Sequence, residues 1–198
     1  LHNNSWLEVL TRLKQSDLYR DLFCVSFGTE LIDSSHVLEA LAQFQTSLVS
    51  SNSRFDQWVD GQIMFTPEEL DGFDIYISER GDCFHCHTVP LLTNNLFQNN
   101  GLDSEFSDLG RFNVTNEDDH KGLFKTPTLR NIEFSAPYMH DGRFATLDEV
   151  IDHYNSGGHY SSTIDPLMKY VDTNPLGIPG LTGLLLNEQE KNNLKAFL

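Results

Sequence analysis

Cys83-Phe84-His85-Cys86-His87 is the stretch that decides the fold. It reads C-x-x-C-H, the attachment pattern of a c-type haem. Two thiols two residues apart can add across the two vinyl groups on one haem edge and become thioethers. The histidine that follows then lies under the iron, where its imidazole serves as proximal ligand. Zinc is an alternative, because His85 offers a fourth nitrogen or sulfur group. Four ligands within five residues close a tetrahedron poorly, however, and zinc sites usually draw on two separated pairs. A disulfide between Cys83 and Cys86 is a third reading, but redox motifs of that kind lack the trailing histidine and sit in a βαβ context. The pattern favours haem, with His85 as a solvent-side residue outside the ligand set.

Outward from this motif, 198 residues leave room for one large or two small domains. A hydrophobic share of 39% is low, and a haem would add apolar surface to the core. The formal net charge of −16 speaks against nucleic acid and anionic membranes and is compatible with a basic protein partner. No apolar run approaches the length of a membrane span. The chain opens at Leu1 without a visible signal peptide, so it is expected to be a mature piece of a longer protein. Covalent haem attachment takes place in exported compartments, so a periplasmic location is expected. The third cysteine, Cys24, lies in Leu22-Phe23-Cys24-Val25 and is expected to be a small buried hydrophobe.

The elements around the motif are helical. A helix is expected over 5–20, opened by Ser5 and Glu8, with Trp6, Leu10 and Leu13 turned inward, and Asp17 to Val25 continues it until Gly28. A second is expected from Ser35 to Val49, with Val37, Leu41, Phe44 and Leu48 on one face and His36 exposed. Ser50-Ser51-Asn52-Ser53 reads as a linker. Thr66-Pro67-Glu68-Glu69 caps a helix carrying Leu70, Phe73 and Ile77 into the haem motif. Residues 88–125 lack periodicity and are too long for an ordinary connection, which suits a loop wrapped around a cofactor. Within it Asn116-Glu117-Asp118-Asp119 reads as a solvated loop rather than a calcium site. Arg130 could pair with haem propionates, an exposed arginine being the alternative. Thr146-Leu147-Asp148-Glu149 starts a helix that Gly157-Gly158 ends, Asp172 to Gly183 is a loop, and Asn187 to Glu190 caps a last helix with Leu194 and Phe197 facing inward. The fold class is therefore mostly α.

Five motifs occur in order: Gly81 to His87, Asn99-Asn100-Gly101-Leu102-Asp103, Gly110-Arg111-Phe112, Phe124 to Asn131, and Ala136-Pro137-Tyr138-Met139-His140-Asp141-Gly142. Together they resemble the bacterial di-haem cytochrome c peroxidases and their MauG-like relatives. The resemblance covers nearly the whole chain and implies two cytochrome c-like domains, each with its own C-x-x-C-H. This chain has one such motif. Residues 1–52 would be the end of the first domain and 53–198 the second. The peroxidatic haem, its acid–base residues and a tryptophan relay would lie upstream of Leu1. Cys83 and Cys86 would hold haem c, His87 its iron, and Arg130 would lie near a propionate. The backbone of Ser135 and Pro137 would help hold calcium between the domains.

The resemblance also implies a function. The parent protein would reduce hydrogen peroxide with electrons from a small cytochrome c or similar donor, and a homodimer is compatible with it. The electron-receiving half is the one present, so no peroxide-binding catalytic residue is expected here. Two alternatives stand beside it: a MauG-like oxidase acting on a protein, and a plain electron-transfer cytochrome. In the peroxidases the sixth ligand of this haem is a methionine seven residues past a leucine in the helix after Pro-Tyr-x-His; in MauG-like members it is a tyrosine. Counting from Leu147 gives Tyr154, with Met139 and Met168 as alternatives.

Overall fold

A computed structural model describes residues 5–168 and 182–198. The described residues form eight α-helices, several 3-10 turns and one two-stranded ladder. The expected loop from Asp172 to Gly183 lies almost wholly outside them. The chain divides into two units, 1–51 and 52–198.

The first unit carries α1 (Trp6–Gln15), α2 (Asp17–Phe27) and α3 (Ser34–Ser47). The single helix expected over 5–20 is in fact two. Ser16 takes extended angles (φ −98°, ψ 119°), and its N–H falls back on the Leu13 carbonyl at 3.2 Å. Gly28 ends α2 in the left-handed region. The unit's core is Phe23, Ile32 and Val37, flanked by Leu10, Leu13 and Phe27. Cys24 is exposed, against expectation, because helical neighbours turn by about 100° and only Phe23 of its run can face inward. Trp6 is 45% exposed rather than a core residue. Along α3 only Val37 is buried, and Leu41, Phe44 and Leu48 are exposed. His36 is half-buried instead of exposed, its ring 4.6 Å from that of Phe27.

The second unit is built on α5 (Pro67–Tyr76) packed along α8 (Glu188–Phe197), with α4 (Arg54–Val59) before them and α7 (Leu147–Ser156) beside α8. Thr66 and Glu69 close a capping box at the start of α5. Buried Glu69 also takes Arg54 Nε at 2.5 Å and Nη2 at 2.8 Å, joining α4 to α5. The buried face of α5 is Gly72, Ile75 and Tyr76; Leu70 and Ile77 of the expected stripe are exposed. The reason is Gly72. A Cβ there would stand 2.0 Å from the Asn193 carbonyl oxygen, so α8 crosses α5 where a side chain is missing. The core gathers Ile75, Tyr76, Leu92, Ile151, Leu184, Leu186 and Leu194.

Between α5 and α7 the chain is mostly irregular. It is held by an antiparallel ladder of β1 (Phe97–Gln98) with β2 (Phe124–Lys125), and by the short helix α6 (Phe112–Thr115). Helix α7 opens on a Thr146–Glu149 capping box and ends at Gly157 in the left-handed region, as its sequence predicts.

Candidate haem site

Cys83–His85 form a 3-10 turn that leaves α5 through a reversal. The Gly81 N–H donates to the Ile75 carbonyl at 3.1 Å, and a Cβ on Gly81 would meet that same oxygen at 2.4 Å. Only glycine permits the chain to fold back this tightly. The turn is closed by His87 N–H donating to the Cys83 carbonyl at 2.9 Å. Both cysteines are free and half-buried, so no disulfide joins them. Burial pushes the Cys86 thiol up to about 11.

His87 is oriented from behind. Its Nδ1 lies 3.2 Å from the Leu92 carbonyl and 3.1 Å from the Pro127 carbonyl. Carbonyl oxygens only accept, so Nδ1 must carry the proton, and the lone pair is left on Nε2. A neutral imidazole whose other nitrogen is anchored to carbonyls is the form that binds a metal through Nε2. Burial lowers the pKa of His87 as well, which favours this neutral state. Tyr76, fully buried, donates its hydroxyl to the His87 carbonyl. Two thiols, an oriented imidazole and a surrounding apolar cluster fit the chemistry of a covalently held haem.

The His85 side chain is 34% exposed and is held by carboxylates. Its Nδ1 meets Asp82 Oδ1, and its Nε2 lies 3.9 Å from Glu79 Oε1. Both ring nitrogens thus face carboxylates, which weighs against a zinc site made with the cysteines.

Tyr154 on α7 packs on the same core as Cys83, Phe84 and Leu129. Burial pushes its phenol upward. Asn100 Nδ2 donates to Tyr154 Oη at 3.4 Å and to Met139 Sδ at 3.4 Å, so two of the three candidate sixth ligands meet at one amide. Met168 is buried in the 3-10 turn Pro166–Met168. Asn100 appeared in the sequence only as part of a motif; an amide adds no period and no charge that would single it out.

Arg130 is not an exposed arginine. Its side chain is 10% exposed and forms a forked pair with Asp56, Nη1 at 3.1 Å from Oδ1 and Nη2 on Oδ2, while Nη1 also reaches the Pro90 carbonyl at 3.4 Å. The Arg130 hydrogen bond holds the Asp56 carboxyl down at about 2. Ser135 and Pro137 are exposed, and Ser135 Oγ donates to the Ile132 carbonyl at 3.0 Å. Asp118 and Asp119 are exposed, and Asp118 pairs with Lys121 at 2.6 Å, as expected of a solvated loop.

A mostly helical fold around a C-x-x-C-H turn, with its histidine oriented for a metal, defines a c-type cytochrome domain. The comparisons narrow the class. The family model described as di-haem cytochrome c peroxidase matches residues 1–64. The methylamine utilization protein MauG of Methylorubrum extorquens is 34% identical over 96% of this chain and 51% of its own length. Cytochrome c551 peroxidase of Nitrosomonas europaea is 33% identical over 68% of this chain and 41% of its own. A solved MauG-like protein associated with microbial copper homeostasis superposes with a TM-score of 0.82 at 31% identity, over 97% of this chain and 60% of that one. The chain belongs to the di-haem cytochrome c peroxidase and MauG family. It spans about half the length of the curated relatives it matches.

Proposed function

We propose that this chain is the electron-relay, haem c-bearing half of a di-haem enzyme. In this reading Cys83 and Cys86 would hold the haem as thioethers, and His87 Nε2 and Tyr154 would be its iron ligands. The observation that carries it is the anchoring of His87 Nδ1 by two carbonyls beside two free thiols. When bound, the haem supplies a one-electron store. The protein's own residues would keep the imidazole neutral and oriented through the Leu92 and Pro127 carbonyls, while Tyr76 would hold the His87 backbone. Arg130, fixed by Asp56, would lie at a propionate edge.

The parent protein would reduce hydrogen peroxide, a reaction that takes up two electrons and two protons, drawing the electrons from a small cytochrome c or similar donor. Residues 1–52 would be the tail of the first cytochrome c-like domain, with the peroxide-binding haem in the part preceding Leu1. The location would be periplasmic. Calcium would sit at the backbone of Ser135 and Pro137. Tyr154 favours a second reading, a MauG-like oxidase, because a phenolate ligand stabilises ferric iron and makes the haem a poorer acceptor from cytochrome donors.

The test is covalent retention. Expressed with haem maturation machinery, the chain should keep a red chromophore after denaturation, and the Cys83→Ala, Cys86→Ala double variant should lose it. A chromophore that the intact pair releases on denaturation would defeat the proposal.

A further inference from the structure

Asn100 is held from several sides. Its carbonyl accepts from His153 Nε2 at 2.9 Å, and the next carbonyl, of Gly101, accepts from the His159 N–H at 2.7 Å. On the other flank the Asn99 amide donates to Ser161 Oγ and Thr163 Oγ1, each at 3.0 Å. The Asn100 side chain therefore projects from a backbone clamped to α7 and to the segment that follows it. A carboxamide has two N–H donors. Here one acceptor is the Tyr154 phenol oxygen and the other the Met139 thioether sulfur.

These two atoms belong to different parts of the chain, and each is a known kind of haem-iron ligand. The placement of Met139 is not that of a casual surface side chain. It is a non-glycine residue in the left-handed region (φ 72°), a conformation that persists only where its surroundings impose it. The surroundings do. The Gly142 N–H donates to the Met139 carbonyl at 3.3 Å, and Tyr138 on its other side bridges to Phe144, N–H to carbonyl, at 2.7 Å.

We infer that Asn100 is a positioning residue that holds Tyr154 and Met139 side by side as alternative sixth ligands, so that Met139 takes the iron when the phenol oxygen is removed. The inference rests on the haem reading above. It separates two properties that a packed core tyrosine would not have. Deleting one oxygen exposes a thioether ligand, and the capture of that ligand depends on a third residue that does not touch the iron.

The experiment uses the haem-loaded 198-residue chain, with ferric absorption and magnetic circular dichroism, and the midpoint potential, as readouts. Tyr154→Phe should gain the charge-transfer band of thioether-to-ferric ligation, at the red end of the visible spectrum, with a raised potential. Adding Met139→Leu should abolish both changes. Adding Asn100→Asp instead, which keeps the size of the side chain and removes its donors, should also cost most of the band while the covalent haem is retained. Asn100→Ala serves the same purpose should Asn100→Asp fold poorly. Covalent haem with no thioether band in Tyr154→Phe overturns this assignment alone, as does a band indifferent to Asn100. A chain with no covalent haem overturns the haem reading and this assignment together.

Discussion

Asp56 works at two places with one carboxylate. Its oxygens accept from the Ser53 backbone N–H at 2.8 Å, closing the cap of α4, and take the guanidinium of Arg130. Both contacts favour the ionised form, the Arg130 hydrogen bond most, and its pKa falls to about 2 from the ordinary 3.8. The folded state thus binds this proton less tightly than the unfolded chain does. The pair's stabilisation is present above about pH 4 and is lost as pH falls through about 2. Asp56→Asn should cost about 1.5–3 kcal/mol at neutral pH, since it breaks charge-assisted hydrogen bonds and leaves a largely buried guanidinium facing a neutral amide. Urea unfolding at pH 6 and pH 2 should show the difference from the parent shrinking at the lower pH.

At the scale of elements, α5 and α8 meet where Gly72 faces the Asn193 carbonyl. Gly72→Ala gains up to about 1 kcal/mol of helix propensity. Against this stands a contact of 2.0 Å to backbone, which no rotamer relieves, and forced overpacking of this kind costs about 1–3 kcal/mol. The steric cost wins, so thermal melting should show a less stable protein, with Asn193 and its Asp71 partner shifted in the crystal or NMR structure. The same crossing explains what the sequence could not disclose. Helix capping at Thr66, Thr146 and Asn187 is local chemistry, so the starts of α5, α7 and α8 were legible. Which face of α5 is buried depends on a partner more than a hundred residues away. A pattern of large apolar residues therefore pointed to Leu70 and Ile77, while the packed face is led by the residue with no side chain. The turn that brings Cys83, Cys86 and His87 together was legible because the three lie within five residues. The contacts of Asn100 with Tyr154, of Asp56 with Arg130 and of His87 with the Pro127 carbonyl were not, because each joins residues at least forty apart in sequence.

For the molecule as a whole, charge and length govern behaviour. A net charge of −16 should steer a cationic donor to the surface, so reduction by a basic cytochrome should slow steeply as salt screens the field, while a neutral reductant of similar potential should show little dependence. Stopped-flow reduction across a salt series measures both. The chain spans about half of its curated relatives, and with one C-x-x-C-H it should show no substantial peroxide turnover with reduced cytochrome c, whereas a protein carrying the second motif upstream should. Turnover by the 198-residue chain at the rate of the longer protein would make the haem at His87 itself catalytic.

The Nδ1 proton of His87 is shared between carbonyls at residues 92 and 127, which lie at the two feet of the long irregular segment. The imidazole is in effect a strain gauge glued across the mouth of a hairpin-like excursion of the chain. Pulling those feet apart, by a nick in the loop for instance, would draw an acceptor away from the ring nitrogen that both now hold. A signal that follows the orientation of that ring would then report on the loop.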